Sequence, residues 1–311
     1  MRLGRTLPLA MILALTGCAP SGQAGLPAPV AQADQRNSPD FYRFHVGSFE
    51  AMALKDGDIS IPNDGETIGV GQPRGSVAAL LSAAGLPSDS IHFSIQPLFV
   101  RAGERNLLFD TGARGASFAV AGRMQASLLS GGIEPGQISD IFISHSHADH
   151  IGGLLAADGT PAFPNATIHI SEGEWTSMQA APELAALVRT IAPRVRTFRI
   201  GAQIAPGVTS IAINGHTPGH SGFQIASGSE RLLYIGDSAH HFVTSVERPL
   251  WTIAWDADAP VAQASRAAML QKAAEGHQRI YAVHFPFPGL GHVRKHGDGF
   301  QWVPEVADAR R

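Results

Sequence analysis

The chain has 311 residues, 44% of them hydrophobic and 16% charged, which is enough for one sizeable core or two smaller ones. The formal net charge is −3 and no run of Lys or Arg occurs, which argues against the basic face of a nucleic-acid-binding protein. Because Cys18 is the single cysteine, an intramolecular disulfide is excluded. The 34 glycines and 21 prolines favour a turn-rich chain with many short strands.

The first 17 residues have the pattern of a signal peptide. Two arginines precede an apolar run from Leu7 to Leu15, which is too short to span a bilayer as a helix. The run ends in Leu15-Thr16-Gly17-Cys18, which resembles a bacterial lipobox and implies lipidation of Cys18. Since Ala19 follows the cysteine, the outer membrane is expected, with the protein facing the periplasm. The alternative is an ordinary signal peptide with a chance cysteine. Residues 18–38 are predicted to form a flexible tether, and residues 39–311 the folded domain.

In the first half of that domain, apolar patterns alternate with Gly- and Pro-rich turns. Residues 55–58 are predicted to form a turn, and residues 60–75 a loop. Helical spacing predicts two helices, Ser76–Ala84 and Val120–Leu129. Short apolar runs predict strands at Phe41–Val46, Phe49–Leu54, His92–Val100, Asn106–Phe109 and Ile138–Ser144.

The second half continues with both kinds of element. Helices are predicted at Glu172–Met178, Pro182–Ile191 and Ala259–Glu275. Strands are predicted at Ala166–Ile170, Val208–Ile213, Arg231–Ile235 and Arg279–Val283. Strand pairs and strand–helix units together favour an α/β fold with two sheets and helices on the outside.

Four apolar strands are each followed directly by His or Asp. Asp110, the segment His145–His150, Asp237 and His284 all occupy such positions. Strand ends that meet at one sheet edge would bring these side chains together.

The segment His145-Ser146-His147-Ala148-Asp149-His150 has the spacing of a metal site. In extended chain, residues two apart point the same way, so His145 and His147 can hold one ion. Asp149 and His150 follow, where a turn can aim them at a second ion. Apolar and glycine-rich flanks predict that the segment is partly buried, where imidazoles and a carboxylate need partners. Nitrogen and oxygen donors suit zinc, and also manganese, iron or cobalt.

This H-x-H-x-D-H pattern resembles the signature of the metallo-β-lactamase superfamily, with later motifs in order over residues 40–303. These are Asp110-Thr111-Gly112, Thr217-Pro218-Gly219-His220, Gly236-Asp237 and His284. The resemblance implies an αββα sandwich with two divalent ions, most readily zinc, at one edge of the sheets. It gives one ion His145, His147 and His220, the other Asp149, His150 and His284, and makes Asp237 the bridge.

The resemblance also implies hydrolysis by a hydroxide that the two ions share. Asp149 is expected to help orient that hydroxide, which makes it the candidate catalytic residue. Asp110 and His216 are expected to support the ligands rather than bind metal. His240 and His241 follow Asp237, and one of them could reach the site or simply hydrogen-bond to backbone.

The segment His284–Val293 and the following Gln301-Trp302-Val303-Pro304 resemble methyl parathion hydrolase and its relatives. That branch implies small-molecule substrates, either lactones and aryl esters or organophosphate triesters. Four aromatic residues are predicted to wall the pocket, with core packing as the alternative for each: Phe118, Trp175, Trp251 and Trp255. A β-lactamase-like resistance enzyme and a non-catalytic metal-binding lipoprotein remain alternatives, and a homodimer is left open.

Overall fold

The computed structural model describes residues 37–305. The predicted signal peptide, Cys18 and most of the predicted tether lie outside the described residues. The described helices are α1 (Ser76–Ala83), α2 (Met124–Ser130), α3 (Ala148–Ile151), α4 (Glu172–Ala180), α5 (Ala185–Ile191), α6 (Thr244–Glu247) and α7 (Ala259–Glu275). Among residues 37–305, no helix has the length and apolar character needed to cross a membrane.

The described strands follow in chain order. They are β1 (Phe41–Val46), β2 (Phe49–Leu54), β3 (Gly57–Pro62), β4 (Ile68–Val70), β5 (Ser90–Ile95), β6 (Leu98–Ala102), β7 (Arg105–Phe109), β8 (Ala119–Val120), β9 (Asp140–Phe142), β10 (Thr167–Ser171), β11 (Val195–Phe198), β12 (Gln203–Ala205), β13 (Val208–Ala212), β14 (Ser221–Ser227), β15 (Glu230–Tyr234), β16 (Thr252–Ile253), β17 (Arg279–Tyr281), β18 (Leu290–His296) and β19 (Gly299–Pro304).

Two large sheets form the centre of the molecule. The first has seven strands in the order β1-β2-β6-β7-β9-β10-β11, and the second has seven in the order β12-β13-β14-β15-β17-β18-β19. Aromatic rings from both sheets pack in the layer between them: Phe109 and Phe142 of the first sheet contact Phe223 of the second at 5.5 and 5.9 Å between ring centroids. This shared apolar layer holds the sheets face to face.

Helices cover the outer face of each sheet. Met124 and Leu128 of α2 and Met178 of α4 pack on the first sheet, whereas Met269 and Leu270 of α7 pack on the second. The expected αββα sandwich is therefore confirmed. Two smaller sheets, β16-β4 and β5-β3-β8, add a fourth apolar cluster beside the sandwich.

Parallel pairing brings the chemically important strand ends to one edge. Strands β7 and β9 run parallel in the first sheet, and β15 and β17 run parallel in the second. Since parallel neighbours end on the same side, the residues that follow these four strands meet across the two sheets.

The structure differs from the predicted elements where local backbone bonds interrupt the pattern. The single strand expected at His92–Val100 is two strands, β5 and β6, in different sheets. The break falls at Gln96-Pro97: proline has no N–H for the ladder, and the buried Gln96 amide donates to two backbone carbonyls instead.

Two further predictions were wrong. The helix expected at Val120–Leu129 begins only at Met124, because the buried Asp56 carboxylate accepts hydrogen bonds from the N–H groups of Gly122 and Met124 and holds the preceding residues as a loop. The loop expected at residues 60–75 contains the second half of β3 and all of β4.

Candidate metal centre

The histidines of the first donor group come from two loops, one in each half of the sandwich. His145 and His147 follow β9, and His216 lies between β13 and β14. The Nε2 atom of His216 lies 3.0 Å from Nδ1 of His147 and 3.2 Å from Nε2 of His145. It also lies 3.5 Å from Oδ2 of Asp237. These four side chains offer donor atoms within 4.8 Å of one another.

The second group lies on the other side of Asp237. The Oδ1 atom of Asp237 is 3.1 Å from Nε2 of His150 and 3.0 Å from Nε2 of His284. Oδ2 of Asp149 lies 3.6 and 3.4 Å from the same two nitrogens. One carboxylate thus divides its two oxygens between the groups, which is the geometry of a bridging ligand.

The hydrogen-bond pattern at the centre favours cations. His150 Nε2 and Asp237 Oδ1 are buried without a hydrogen-bond partner among the described residues, although leaving buried polar atoms unpaired is costly. Both groups contain only nitrogen and oxygen donors, which suit zinc and other divalent transition metals. The residues present therefore fit two divalent ions, the first held by His145, His147 and His216, the second by Asp149, His150 and His284, with Asp237 between them.

Four of these histidines are oriented by a partner on the ring nitrogen that faces away from the donor group. His150 Nδ1 meets Asp110 at 2.8 Å, His216 Nδ1 meets Asp256 at 3.0 Å, and His284 Nδ1 meets the Ser94 carbonyl at 2.7 Å. His145 Nδ1 lies 3.1 Å from the Ser144 hydroxyl. Such outer partners fix the tautomer and direction of metal-binding imidazoles.

His220 is not in either donor group, and this corrects the sequence interpretation. Its Nδ1 meets the carbonyl of Ile213 at 2.8 Å, and its Nε2 accepts a hydrogen bond from the backbone N–H of Asp237 at 3.0 Å. Both ring nitrogens are therefore engaged by backbone. His216, four residues earlier, supplies the donor instead, and His220 positions Asp237.

The sequence profile of the metallo-beta-lactamase superfamily matches residues 93–284, a span that contains every donor named above. The chain belongs to the metallo-beta-lactamase superfamily. No curated protein matches it.

Two solved structures resemble this superfamily member closely over most of its length. AidC, a dizinc quorum-quenching lactonase in complex with a product, N-hexanoyl-L-homoserine, is 29% identical with a TM-score of 0.82, covering 86% of this chain and 98% of AidC. The hydrolase AbOPH is 27% identical with a TM-score of 0.78, covering 88% of this chain and 99% of AbOPH. Together with the donor groups, these similarities identify a metal-dependent hydrolase.

The two donor groups of this metal-dependent hydrolase differ in their charge. Burial lowers the pKa of His145 well below its ordinary value, and it lowers the pKa of His216 to about 3 despite the Asp256 carboxylate. Burial also acts to lower the pKa of His150, but Asp237, Asp149 and Asp110 outweigh it and raise that pKa well above its ordinary value. The first group is thus a set of neutral imidazoles, and the second is a place where positive charge is strongly favoured.

A cavity of about 510 Å³ opens onto the donors. Its walls include Phe118 and Trp255 together with Ile59, Ile61 and Phe93, so two of the four predicted aromatic residues lie there. The other two predictions were wrong. Trp175 packs against the core outside the first sheet, and Trp251 packs beside the small sheets.

Sequence reasoning gave no role to two buried acids and left His240 open. His240 is buried, lines the cavity and has Nε2 3.3 Å from Oδ2 of Asp237, but neither ring nitrogen has a hydrogen-bond partner among the described residues. Asp256 and Glu174 hold the loops that carry donors. In the sequence, Asp256 and Glu174 are visible only as acidic residues beside apolar positions. That pattern does not reveal that each hydrogen-bonds to residues distant in the chain.

Proposed function

We propose that the protein is a dinuclear hydrolase of lactones or aryl esters, with organophosphate triesters as the second candidate class. The observation that carries the proposal is the division of the Asp237 oxygens between two complete donor groups. A single-ion site would need no such carboxylate. Zinc is the metal we propose, because all donors are imidazole nitrogens and carboxylate oxygens.

When bound, two such ions acidify water and polarise the C=O or P=O group of a substrate. Asp149 is the residue we expect to act on that water. Its carboxylate lines the cavity, and although burial acts to raise its pKa, His150 and His284 lower it to about 2. Asp149 is therefore ionised at neutral pH and accepts a hydrogen bond from the attacking water.

For an ester, the water oxygen bonds to the carbonyl carbon and the C–O bond to the leaving group breaks. The proton that the water loses passes to the leaving oxygen, so that one acid and one alcohol are formed. Because its low pKa makes Asp149 a weak base, we expect it to orient the attacking water and not to store the proton.

The cavity walls support an uncharged substrate with an apolar group. Ile59, Ile61, Phe93, Phe118 and Trp255 provide apolar surface beside the donors. Such walls suit an acyl chain or an aryl leaving group better than a nucleotide. The similarity to AidC, a lactonase, favours lactones within that range.

The test is a substrate panel on purified, metal-analysed protein. We expect turnover of acyl-homoserine lactones or p-nitrophenyl esters, abolished by a chelator and restored by zinc. Efficient cleavage of phosphotriesters alone would move the assignment to the second class. Chelator-sensitive hydrolysis of nitrocefin alone would indicate a β-lactamase, and bound metal without any turnover would contradict an enzyme of this kind.

We also propose that the hydrolase is exported and anchored through lipid on Cys18. The support is the sequence Leu15-Thr16-Gly17-Cys18 after a short apolar run. Full-length protein expressed in a Gram-negative host should incorporate labelled palmitate and fractionate with the outer membrane. Cys18→Ser protein should lose the label, and equal labelling of both proteins would contradict the anchor.

A further inference from the structure

Glu174 is a buried acid that lies outside both donor groups. Only 1% of its surface is exposed, although it stands in the first turn of α4, where acidic residues are commonly exposed. Its carboxylate accepts four hydrogen bonds and has no ion-pair partner among the described residues. The donors are the backbone N–H and hydroxyl of Ser146, the hydroxyl of Thr217 and the backbone N–H of Gly219.

The two oxygens of Glu174 serve different loops. Oε1 accepts both bonds from Ser146, which lies between the donors His145 and His147. Oε2 accepts from Thr217 at 2.7 Å and from Gly219 at 3.0 Å, just after the donor His216. One carboxylate therefore ties together the two loops that carry all three histidines of the first group.

The fit between α4 and the second loop leaves no space for adjustment. A Cβ atom on Gly219 would lie 2.0 Å from the backbone nitrogen of Glu174. Ser171, at the start of α4, donates to the Gly219 carbonyl at 2.6 Å. The helix end and the loop are thus in backbone contact, and movement of Glu174 must move the loop.

We propose that Glu174 is a positioning residue that sets the spacing of His145, His147 and His216, and with it the affinity of the first ion. The inference rests on the proposed two-ion centre. Among the described residues, no hydrogen bond joins Glu174 to the second group; its His150 is held by Asp110 and its His284 by a backbone carbonyl. Glu174 therefore acts on one ion and not on the other.

Glu174→Gln tests this with little change in shape. All four groups around Glu174 donate, so the amide NH₂ of glutamine faces two donors at one of the loops. A hydroxyl can turn to accept from it, but a backbone N–H cannot and is left unpaired. Glu172→Gln is the matched control, because Glu172 lies in the same first turn of α4 and is exposed.

The measurement is the dissociation constant of each ion, by chelator competition with Zn²⁺ and Co²⁺, together with the Co²⁺ absorption spectrum. We expect Glu174→Gln to weaken one ion by about 10- to 100-fold, change the spectrum of that ion and leave the other ion unchanged. Glu172→Gln should match the wild type in both. A residue that only supports the fold would lower the melting temperature without separating the two ions.

Equal weakening of both ions, or of neither, would overturn the role of Glu174. If Glu174→Gln protein does not fold, Thr217→Val removes one of the four bonds and should weaken the same ion several-fold; an unchanged affinity then overturns the proposal. Wild-type protein that binds a single ion would instead overturn the two-ion centre, so the two failures are distinguishable.

Discussion

The two halves of the metal centre are built in opposite ways. The first half is three histidines from two loops, kept neutral by burial and joined through Glu174. The second half pairs His150 and His284 with Asp149 and Asp237, which raise the pKa of both imidazoles against the effect of burial. One half thus offers free nitrogen donors, and the other supplies the negative charge that two divalent ions require.

Because of this difference in charge, the two halves should bind their ions differently. Neutral imidazoles bind an ion without first losing a proton, whereas His150 must exchange its proton for the ion. Asp237 belongs to both, because its two oxygens face different groups. Six substitutions, grouped in four experiments, test this division.

Asp237→Asn should damage both halves at once. The amide carries no charge and retains one oxygen, so both ions lose affinity. We expect activity to fall by about 1,000-fold or more, equivalent to ~4 kcal/mol of barrier. Metal analysis and steady-state kinetics check this. Two ions at wild-type affinity would contradict a bridge.

His216→Ala and His220→Ala separate a donor from its neighbour. We expect His216→Ala to lose one ion and most activity, because Nε2 of His216 faces the first group. His220→Ala should retain both ions with weaker binding, since it loses the ring's two bonds to the Ile213 and Asp237 backbone but no metal donor. The measurement is the metal content of the two purified proteins. If His220→Ala lost an ion and His216→Ala kept both, His220 would be the ligand instead.

Asp256→Asn and Asp110→Asn change the carboxylates that hydrogen-bond to a metal-binding histidine in each half, His216 and His150 respectively. Each should weaken one ion by about 10- to 100-fold, the first through His216 and the second through His150. The affected ion should differ between the two proteins, as measured by Co²⁺ spectra at half saturation. Loss of the same ion from both would contradict the division into halves.

Phe118→Ala should have the smallest effect and leave the metal centre intact. Phe118 lines the cavity but is 49% exposed, so truncation removes only part of an aromatic contact. We expect KM to rise about tenfold with little change in kcat, from roughly 1.5 kcal/mol of lost apolar burial. Trp175→Phe is the control outside the cavity, and an equal rise there would argue against a pocket role.

The fold and most of the centre could be predicted because strand ends and donors are local in sequence. His145, His147, Asp149 and His150 follow one strand, while Asp237 and His284 each follow another. The sequence interpretation chose His220 as the ligand, but His216 and His220 lie four residues apart in one loop, and only the backbone around them decides which ring is free. Assignment to the methyl parathion hydrolase branch remains a prediction.

Long-range contacts account for the other failures. Nothing near Trp175 or Trp251 in the sequence indicates which side of a sheet each ring packs on. Glu174 and Asp256 look like ordinary acids on helices or loops until the distant donors that surround them are known. Partners separated by 28 to 45 residues are set by the fold and not by spacing.

Anomalous diffraction from zinc-loaded crystals, recorded at the zinc absorption edge, shows how many ions the centre binds and which histidines hold them. We expect two peaks per chain on either side of Asp237, the first at about 2.1 Å from ring nitrogens of His145, His147 and His216. The second peak should contact His150, His284 and Asp149. A single peak would contradict the two-ion centre, and a first peak bound by His220 would contradict the role of His216.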